Sequence, residues 1–308
     1  MVQWTSDDIP PLEGRSVVVT GAGGLGFEDV IALSRAGARV IVAGRNSAKG
    51  AQAVSRIRSE VHGANVRFET LDLADLRSVQ QFGSRLCRDL ASLDILINNA
   101  GVMTPPTRKT TLDGFELQFG TNHLGHFALT AHLLPLLRKG ADPRVISLSS
   151  IAARQGRINF DDLQSEKNYK AFQAYAQSKL ACLLFALELQ RRSEISSWGV
   201  SSIAAHPGLA RTDLLANGPG RGSAIGVVSV ALSFLFQASA QGALPTLFAA
   251  TSPAAKGGAY YGPDKLGETR GYPAPARVPP RAKDAAVAAR LWEVSEQLTG
   301  VTFSARAP

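Results

Sequence analysis

Short runs of β-branched residues alternate with longer amphipathic segments through most of the chain. Five runs in the first half predict buried strands: Ser16–Thr20, Arg39–Ala43, Val66–Leu71, Asp94–Ile97 and Arg144–Leu148. Helical periodicity occupies the intervals near residues 25–36, 47–62, 75–89 and 111–138. Strands that alternate with helices in this way form parallel sheets with helices on both faces. The pattern therefore predicts an α/β fold built on one doubly wound parallel sheet.

The second half continues this alternation. A long helix near residues 172–196 precedes a sixth strand at Val200–Ala205, and Ala259–Tyr261 predicts a short seventh strand. The segment Tyr272–Arg281 is rich in proline and predicts an extended connector. Asp284–Leu298 has apolar residues on one helical face, which predicts a terminal helix. We therefore expect a sheet of about seven strands.

The chain shows no internal repeat and no clean domain boundary. We expect one domain over residues 1–308, with a lid at about 213–241 and a C-terminal extension at about 272–308. The most apolar stretch, Ala224–Phe236, is shorter than the roughly 20 residues that cross a bilayer. We expect no transmembrane span and interpret this stretch as an apolar lid, with core packing or a subunit contact as equal alternatives.

Composition narrows the class of protein further. Apolar residues make up 45% of the chain and charged residues 19%, which excludes wholesale disorder. The net charge is +8, but the basic residues are scattered, so we expect no nucleic-acid partner. The two cysteines, Cys87 and Cys182, cannot form a disulfide framework, and Met1–Gly14 lacks a signal-peptide pattern. We therefore expect a cytoplasmic protein.

A glycine-rich turn, Thr20–Gly26 (TGAGGLG), directly follows the first predicted strand and begins the first predicted helix. A turn in this context brings backbone N–H groups and the positive end of a helix dipole against a pyrophosphate. The residues at this contact would be Gly21, Gly24, Leu25 and Gly26. The turn favours a dinucleotide-binding domain, and the alternative is a tight turn without a ligand.

The second strand ends in Ala43-Gly-Arg-Asn46, where an NAD-binding site would carry an acidic residue for the ribose hydroxyls. The nearest charged side chain here is instead that of Arg45, which suits a 2′-phosphate. We therefore expect NADP(H) rather than NAD(H), with Arg45 at the 2′-phosphate. A solvated surface arginine is the alternative.

Tyr175 and Lys179 are four residues apart, which places both on one face of the predicted long helix. An isolated phenol has a pKa near about 10, and a neighbouring ammonium favours its phenolate. Ser150 follows the fifth strand, at the edge of the sheet where such folds bind ligands. Together these residues predict a site for proton exchange with a substrate oxygen. Taken alone, each of these three residues is equally compatible with a purely structural role.

On the basis of these residues and the motifs below, the chain resembles the short-chain dehydrogenase/reductase family from about residue 15 to residue 300. The family's motifs correspond to Asn98-Asn-Ala-Gly101, Asn122 within Thr121–His126, Ser149-Ser150, Tyr175-x-x-x-Lys179 and Pro207-Gly-x-x-x-Thr212. Within the family, Leu112–Phe115, Asn122–Phe127, Gln241–Ala243, Gly258–Gly262 and Leu291-Trp292 are most like the retinol-dehydrogenase and WW-domain-oxidoreductase branch. The resemblance implies a Rossmann-type fold and hydride chemistry.

The resemblance also implies a role for each matching residue. Tyr175 would exchange a proton with the substrate, assisted by Lys179, while Ser150 would orient the carbonyl and Asn122 would position a water. Cofactor contacts are implied for Gly21, Gly24, Leu25, Gly26, Arg45, Asn46, Asp72, Leu73, Asn99, Ala100, Gly101, Tyr175, Lys179, Pro207, Gly208 and Thr212. Asp72 would contact the adenine and Thr212 the carboxamide. The glycine loop departs from the family because it is one residue short.

Other side chains near this site favour no competing chemistry. His123, His126 and His206 lack the convergent ligands of a metal centre, so we expect no metal. No Gly-x-Ser-x-Gly elbow supports acyl transfer, and His206 is more simply the end of the sixth strand. Cys182 is interpreted as a core residue.

We therefore expect an NADPH-dependent carbonyl reductase, reversible as an alcohol dehydrogenase, that acts on a lipophilic ketone or aldehyde. A dinucleotide-binding regulator or scaffold with little turnover is the alternative, and a reductase of carbon–carbon double bonds is a third candidate. Relatives of this kind form homodimers or homotetramers through helices equivalent to 111–138 and 172–196. The sequence leaves the choice among those states and a monomer open.

Overall fold

The structure, a computed structural model, describes residues 3–210 and 237–303 of the chain. Its centre is one eight-stranded sheet with the spatial order β3-β2-β1-β4-β5-β6-β7-β8. Strands β1 to β7 are parallel, and β8 pairs with β7 in the antiparallel direction. The strands are β1 Ser16–Thr20, β2 Arg39–Gly44, β3 Val66–Thr70, β4 Ile95–Asn98, β5 Arg144–Leu148, β6 Ser201–Ala205, β7 Tyr260–Lys265 and β8 Arg270–Pro275.

Helices cover both faces of this sheet. They are α1 Leu25–Arg35, α2 Ser47–Glu60, α3 Leu76–Asp89, α4 Leu117–Phe119, α5 Gly125–Leu137, α6 Ala171–Ile195, α7 Ser239–Thr251 and α8 Ala285–Thr299. Alternation along β1 assigns the two faces, because Val17 and Val19 pack with α1, α2 and α7, whereas Val18 packs with α3, α5 and α6. All the central strands are buried on both sides, as their continuous apolar runs predict. The predicted doubly wound α/β fold is confirmed.

The eighth strand is an addition to the expected sheet. Residues 270–275 include part of the segment interpreted as a connector, but they pair with β7 from Tyr261 opposite Pro275 to Lys265 opposite Arg270. Proline is compatible with this position because β8 is the outermost strand and pairs on one side only. The prediction of an extended connector is therefore corrected for residues 272–275, which belong to a proline-containing edge strand.

The helix expected at 111–138 begins later and has two parts. Residues 110–116 form a turn, closed by a bridge between Thr110 and Glu116. The Glu116 carboxylate accepts from the backbone N–H groups of Gln118 at 3.0 Å and Phe119 at 2.8 Å, so it caps the start of α4. A π-helical segment, Gly120–Leu124, then joins α4 to α5.

The C-terminal helix α8 packs against α6 through aromatic side chains. The Trp292 ring lies 5.0 Å from Phe127, 5.8 Å from Phe185 and 4.4 Å from Phe303, measured between ring centroids. This contact fixes α8 on the face of the sheet that carries α5 and α6. No helix within residues 3–210 and 237–303 is both long enough and apolar enough to cross a membrane.

The expected lid falls mainly in a part of the chain that the structure does not describe. Its residues 213–236, which include the apolar stretch Ala224–Phe236, lie outside the described residues. The described end of that range contributes Ser239 and the following residues to the start of α7.

One buried acid in α1 gives a stability prediction. Asp29 is fully buried, and neither of its carboxylate oxygens has a hydrogen-bond partner in the described structure. Burial, with the neighbouring charge of Glu28, raises the pKa of Asp29 well above its ordinary value. The folded state therefore binds more protons than the unfolded state, and stability falls as the pH rises above the unfolded value of about 3.9.

We expect Asp29→Asn to unfold at a higher temperature than the wild type at pH 8, because the amide carries no charge to bury. The gain in the free energy of unfolding should shrink towards pH 4, because the wild-type carboxyl is then protonated in the folded state. Thermal unfolding across this pH range measures it, with the exposed Glu293→Gln as the matched control. A gain that is the same at every pH would contradict the assignment.

Candidate active site

Helix α6 places Tyr175 and Lys179 on a buried face, one turn apart. Tyr175 is 7% exposed and Lys179 is 5% exposed. The Lys179 Nζ atom donates to the carbonyl of Leu148 at 3.0 Å and lies 6.0 Å from the centroid of the Tyr175 ring. The lysine ammonium is therefore held at the carboxyl end of β5, within electrostatic reach of the phenol.

Ser150 lies two residues beyond the end of β5, at the start of a 3₁₀ turn, Ile151–Gln155. Its Oγ accepts from the backbone N–H of Ala152 at 3.2 Å. A serine hydroxyl has one proton to donate besides its acceptor lone pairs, so Ser150 can still donate to a substrate oxygen. The neighbouring Ser149 donates to the carbonyl of Lys179 at 2.8 Å, which ties this edge of the sheet to α6.

Asn122 lies in the π-helical segment and is held by its own side chain. Its Oδ1 accepts from the N–H of Val102 at 2.8 Å, and its Nδ2 donates to the Val102 carbonyl at 3.0 Å and to Ser178 Oγ at 2.9 Å. A Cβ atom added at Gly101 would lie 3.0 Å from Asn122 Oδ1 and 3.6 Å from Lys179 Nζ. Gly101 thus packs against both residues. Because it has no side chain, Asn122 and Lys179 can both lie close to its Cα atom.

The glycine loop keeps the strand-turn-helix geometry despite its short length. Gly21 and Gly24 adopt φ values of 93° and 54°, which favour glycine, and α1 begins at Leu25. Gly26 packs against the carbonyl of Gly21, and a Cβ atom added there would lie 2.5 Å from Asn99 Nδ2. Close backbone packing at the start of a helix suits a pyrophosphate, so these residues fit a dinucleotide.

A buried network joins this loop to Asn122 through Thr20. The Thr20 Oγ1 accepts from the backbone N–H groups of Asn99 at 2.9 Å and Ala100 at 3.0 Å. It also lies 2.9 Å from His126 Nε2, while His126 Nδ1 lies 2.9 Å from the carbonyl of Asn122. Because a carbonyl only accepts, His126 Nδ1 carries the proton. The one proton of the Thr20 hydroxyl then goes to His126 Nε2 at 2.9 Å, which is closer than the Ile97 carbonyl at 3.3 Å. The network requires a neutral imidazole, and burial lowers the pKa of His126 to about 4.

The residues expected near the adenosine half follow strands β2 and β3. Arg45 is exposed just after β2 and has no ion-pair partner within the described structure. Asn46 caps α2, since its Oδ1 accepts from the N–H of Lys49 at 2.9 Å. Asp72 accepts from the N–H of Ala74 at 3.0 Å, and Leu73 is buried. The sheet therefore brings Arg45 and Asp72 to the same carboxyl edge as the glycine loop.

The residues after β6 lie on the other side of that loop. His206 directly follows β6, as expected, and its Nδ1 accepts from the N–H of Gly208 at 3.2 Å. The Pro207 carbonyl accepts from Gln237 Nε2 at 2.7 Å. Gly208 has a φ of 66°. Thr212, predicted to contact the carboxamide, lies outside the described residues.

The structure also adds site residues that the motifs did not identify. Thr20 and Ser178 hold Asn99 and Asn122, and they follow from no spacing rule. The sequence assigns His126 no role of its own, whereas in the structure it bridges Thr20 and the Asn122 carbonyl. Tyr260 on β7 lies against Ser150, with its hydroxyl 3.5 Å from the Ser150 carbonyl. The sequence does not predict these contacts, because each joins segments that are far apart along the chain and come together only in the folded structure.

Comparison with known proteins agrees with this geometry. Residues 15–219 match the family model described as short chain dehydrogenase. Retinol dehydrogenase 12 of Mus musculus is 40% identical over 295 residues, which cover 95% of this chain and 88% of that protein. Retinol dehydrogenase 13 of Homo sapiens is 41% identical over 296 residues, which cover 94% of this chain and 86% of that protein.

Solved structures show the same fold. An uncharacterized protein from Mycobacterium paratuberculosis has a TM-score of 0.82 and 40% identity, and the match covers 98% of this chain and 100% of that one. A short chain dehydrogenase from Shigella flexneri, solved in complex with NADP, has a TM-score of 0.64 and 25% identity, with coverage of 82% and 98%.

The Thr20 network gives a test with a matched control. We expect Thr20→Val to destabilise the fold by about 1–3 kcal/mol, because the partly buried N–H groups of Asn99 and Ala100 lose their acceptor. Thr246→Val is the control, since the Thr246 hydroxyl is equally buried but has no partner in the described structure. Its substitution should be neutral or stabilising. Equal losses in the two variants, measured by urea unfolding, would contradict the role of Thr20.

Proposed function

Since the chain belongs to the short-chain dehydrogenase/reductase family, we propose that it is an NADP(H)-dependent carbonyl reductase that also runs in the direction of alcohol oxidation. The observation that carries this proposal is the placement of Tyr175 and Lys179 on the buried face of α6, beside Ser150 and Asn122. These four polar side chains lie at one edge of the sheet. A protein that only binds a dinucleotide would have no need of the acid-base pair formed by Tyr175 and Lys179.

The cofactor contributes the hydride when it is bound, and this chain contributes the proton and the orientation. The residues that would hold it are those of the glycine loop, Asn99 to Gly101 and the loop after β6. Sheet order sets its direction, because Arg45 and Asp72 follow β2 and β3, whereas Ser150 and Pro207 follow β5 and β6. The residues after β2 and β3 would therefore hold the adenosine half of the cofactor, and those after β5 and β6 would hold the reacting half.

Tyr175 gives a proton to the substrate oxygen during reduction and takes it back during oxidation. The ammonium of Lys179, held by the Leu148 carbonyl, stabilises negative charge on the phenol oxygen. Ser150 donates its hydroxyl proton to the same substrate oxygen and orients the carbonyl. Asn122 holds the backbone at Val102, next to Gly101, and so shapes the floor beneath Lys179. Its proposed part in a proton relay is to position a water there.

The proposed preference for NADP(H) rests on Arg45. Its guanidinium is exposed, and it lies at the end of β2, where an NAD-specific site carries an acidic residue. A guanidinium can bind a 2′-phosphate through charge-assisted hydrogen bonds. The NADP bound to the relative from Shigella flexneri supports the same choice.

The proposed substrate is a lipophilic aldehyde or ketone. Apolar side chains flank the site, since Phe172 is 47% exposed one turn before Tyr175, and Leu209 is 38% exposed after the loop that follows β6. Exposed apolar groups around a polar centre favour an apolar ligand. The retinol dehydrogenases among the relatives are named for a lipophilic alcohol, whose oxidation gives such an aldehyde.

Tyr175→Phe tests the mechanism. We expect a loss of turnover of about 10²–10⁴-fold, with affinity for NADP⁺ preserved, because only the exchangeable proton is removed. Reduction of all-trans-retinal and decanal measures turnover, and calorimetry measures cofactor binding. Tyr261→Phe is the control, because the Tyr261 hydroxyl accepts from the N–H of Lys256, away from the site. Cofactor binding without turnover in the wild type would favour a regulatory binding protein instead.

Arg45→Ala tests cofactor choice. We expect affinity for NADPH to fall by about tenfold or more, the value of a charge-assisted hydrogen bond, with affinity for NADH unchanged. Nicotinamide fluorescence reports both affinities, and Arg88→Ala, at an exposed position on α3, controls for loss of surface charge. Preference for NADH in the wild type would show that Arg45 is a solvated surface residue.

A further inference from the structure

A hairpin at the edge of the sheet reaches over the carboxyl ends of β5 and β6. It is formed by β7 and β8, with Lys265 opposite Arg270 and the turn between them. The Glu268 carboxylate, at the tip, lies 3.0 Å from His206 Nε2, forms an ion pair with Arg154 and accepts from the N–H of Arg277 at 3.0 Å. We propose that Glu268 is a positioning residue that clamps the two walls of the reaction cleft and sets the loop that receives the nicotinamide half of the cofactor.

The first wall is the segment that follows β6. The His206 Nδ1 accepts from the N–H of Gly208, so Nδ1 is unprotonated and the proton is on Nε2. That proton is donated to Glu268, which thereby selects the His206 tautomer. Removing the carboxylate leaves the Nε2–H group without this acceptor and frees the ring that anchors Gly208.

Backbone contacts reinforce this connection. The N–H of Leu209 donates to the carbonyl of Thr269 at 2.7 Å. Gly208 has a φ of 66° and packs directly on that same carbonyl, where a Cβ atom would clash. Gly262 on β7 leaves the space that the His206 ring occupies. The loop after β6 therefore packs directly against the β7–β8 hairpin.

The second wall is the 3₁₀ turn that begins after Ser150. Arg154, at the end of this turn, forms the ion pair with Glu268 and donates from Nη1 to the carbonyl of Gly267 at 3.3 Å. The hydroxyl of Tyr260 lies 3.5 Å from the Ser150 carbonyl, and its ring lies 5.1 Å from the ring of His206. One carboxylate thus joins the wall that carries Ser150 to the wall that carries Pro207 and Gly208.

The backbone at the tip favours a functional role for this acid. Glu268 has a φ of 69°, a left-handed conformation that costs a non-glycine residue about 1–2 kcal/mol. Glycine would relieve that cost, so the acid is held there by its contacts. Burial alone would raise the pKa of Glu268, but the hydrogen bonds from His206 and the Arg277 N–H and the charge of Arg154 outweigh it and lower that pKa to about 2. The side chain is therefore charged at every pH at which the protein would act.

Glu268→Gly separates the clamp from the fold, because it removes the carboxylate and relieves the left-handed strain at once. The inference rests on the proposed function, so binding of NADP⁺ by the wild type is measured first, by calorimetry. We expect the variant to bind NADP⁺ about tenfold or more weakly, while affinity for adenosine 2′,5′-bisphosphate, the adenosine half alone, stays within about twofold. Its unfolding temperature is measured alongside, and both affinities are compared at a temperature at which the variant is folded.

The control is Glu60→Gln, which breaks an exposed ion pair with Arg56 on α2 and should change neither affinity. Unchanged binding of NADP⁺ by Glu268→Gly, or an equal loss for both ligands, would overturn the clamp and leave the proposed function standing. A wild type that binds no NADP⁺ would overturn the proposed function and the clamp together.

The bridging role has its own test in a double-mutant cycle. If Glu268 acts through Arg154, Arg154→Met combined with Glu268→Gly should reduce kcat/KM for decanal little more than Glu268→Gly alone. Multiplicative losses would show that the two side chains act independently, which contradicts a bridge between the walls.

Discussion

The hydrogen bond between Thr20 Oγ1 and His126 Nε2 is the contact on which the rest of the site depends. Thr20 ends β1, and its hydroxyl also accepts from the N–H groups of Asn99 and Ala100 after β4. His126 carries the connection to the Asn122 carbonyl. The Thr20 hydroxyl and the neutral His126 imidazole therefore join the glycine loop, the floor of the cofactor cleft and the π-helical segment, and the side-chain hydrogen bonds of Asn99 and Asn122 reinforce that connection.

The electrostatics of the site follow from what surrounds Lys179. Its contacts in the described part of the chain are a backbone carbonyl and the nearby tyrosine ring, rather than a carboxylate. A buried ammonium with this surrounding favours negative charge beside it, whether on a phenol oxygen or on a bound anion. The Glu268 carboxylate, beside the reaction cleft, is instead paired with Arg154 and His206. Because Glu268 is paired elsewhere, the ammonium of Lys179 has no carboxylate partner in the described structure and can stabilise negative charge on the Tyr175 oxygen.

Local patterns predicted the elements that bind and react, and missed the contacts that hold them. The β-branched runs identified the parallel strands because these strands are buried on both faces, and the four-residue spacing placed Tyr175 and Lys179 together on α6. Proline content pointed away from β8 because an edge strand tolerates residues that a central strand excludes. Residues 110–116 resembled the start of a helix, but the Glu116 cap sets that start at Leu117. Thr20, His126 and Glu268 act through partners far away in sequence, which no spacing reveals.

The most direct test of the account is transfer of deuterium from the cofactor to a carbonyl substrate. The protein would be incubated with NADPH deuterated at C4 of the nicotinamide, in each configuration, and with all-trans-retinal or decanal. Mass spectrometry would then locate the label. One configuration should deliver deuterium to the carbinol carbon of the alcohol, and Tyr175→Phe should suppress this product. Absence of labelled alcohol with either substrate, despite tight binding of NADPH, would contradict the assignment of this site as a carbonyl reductase.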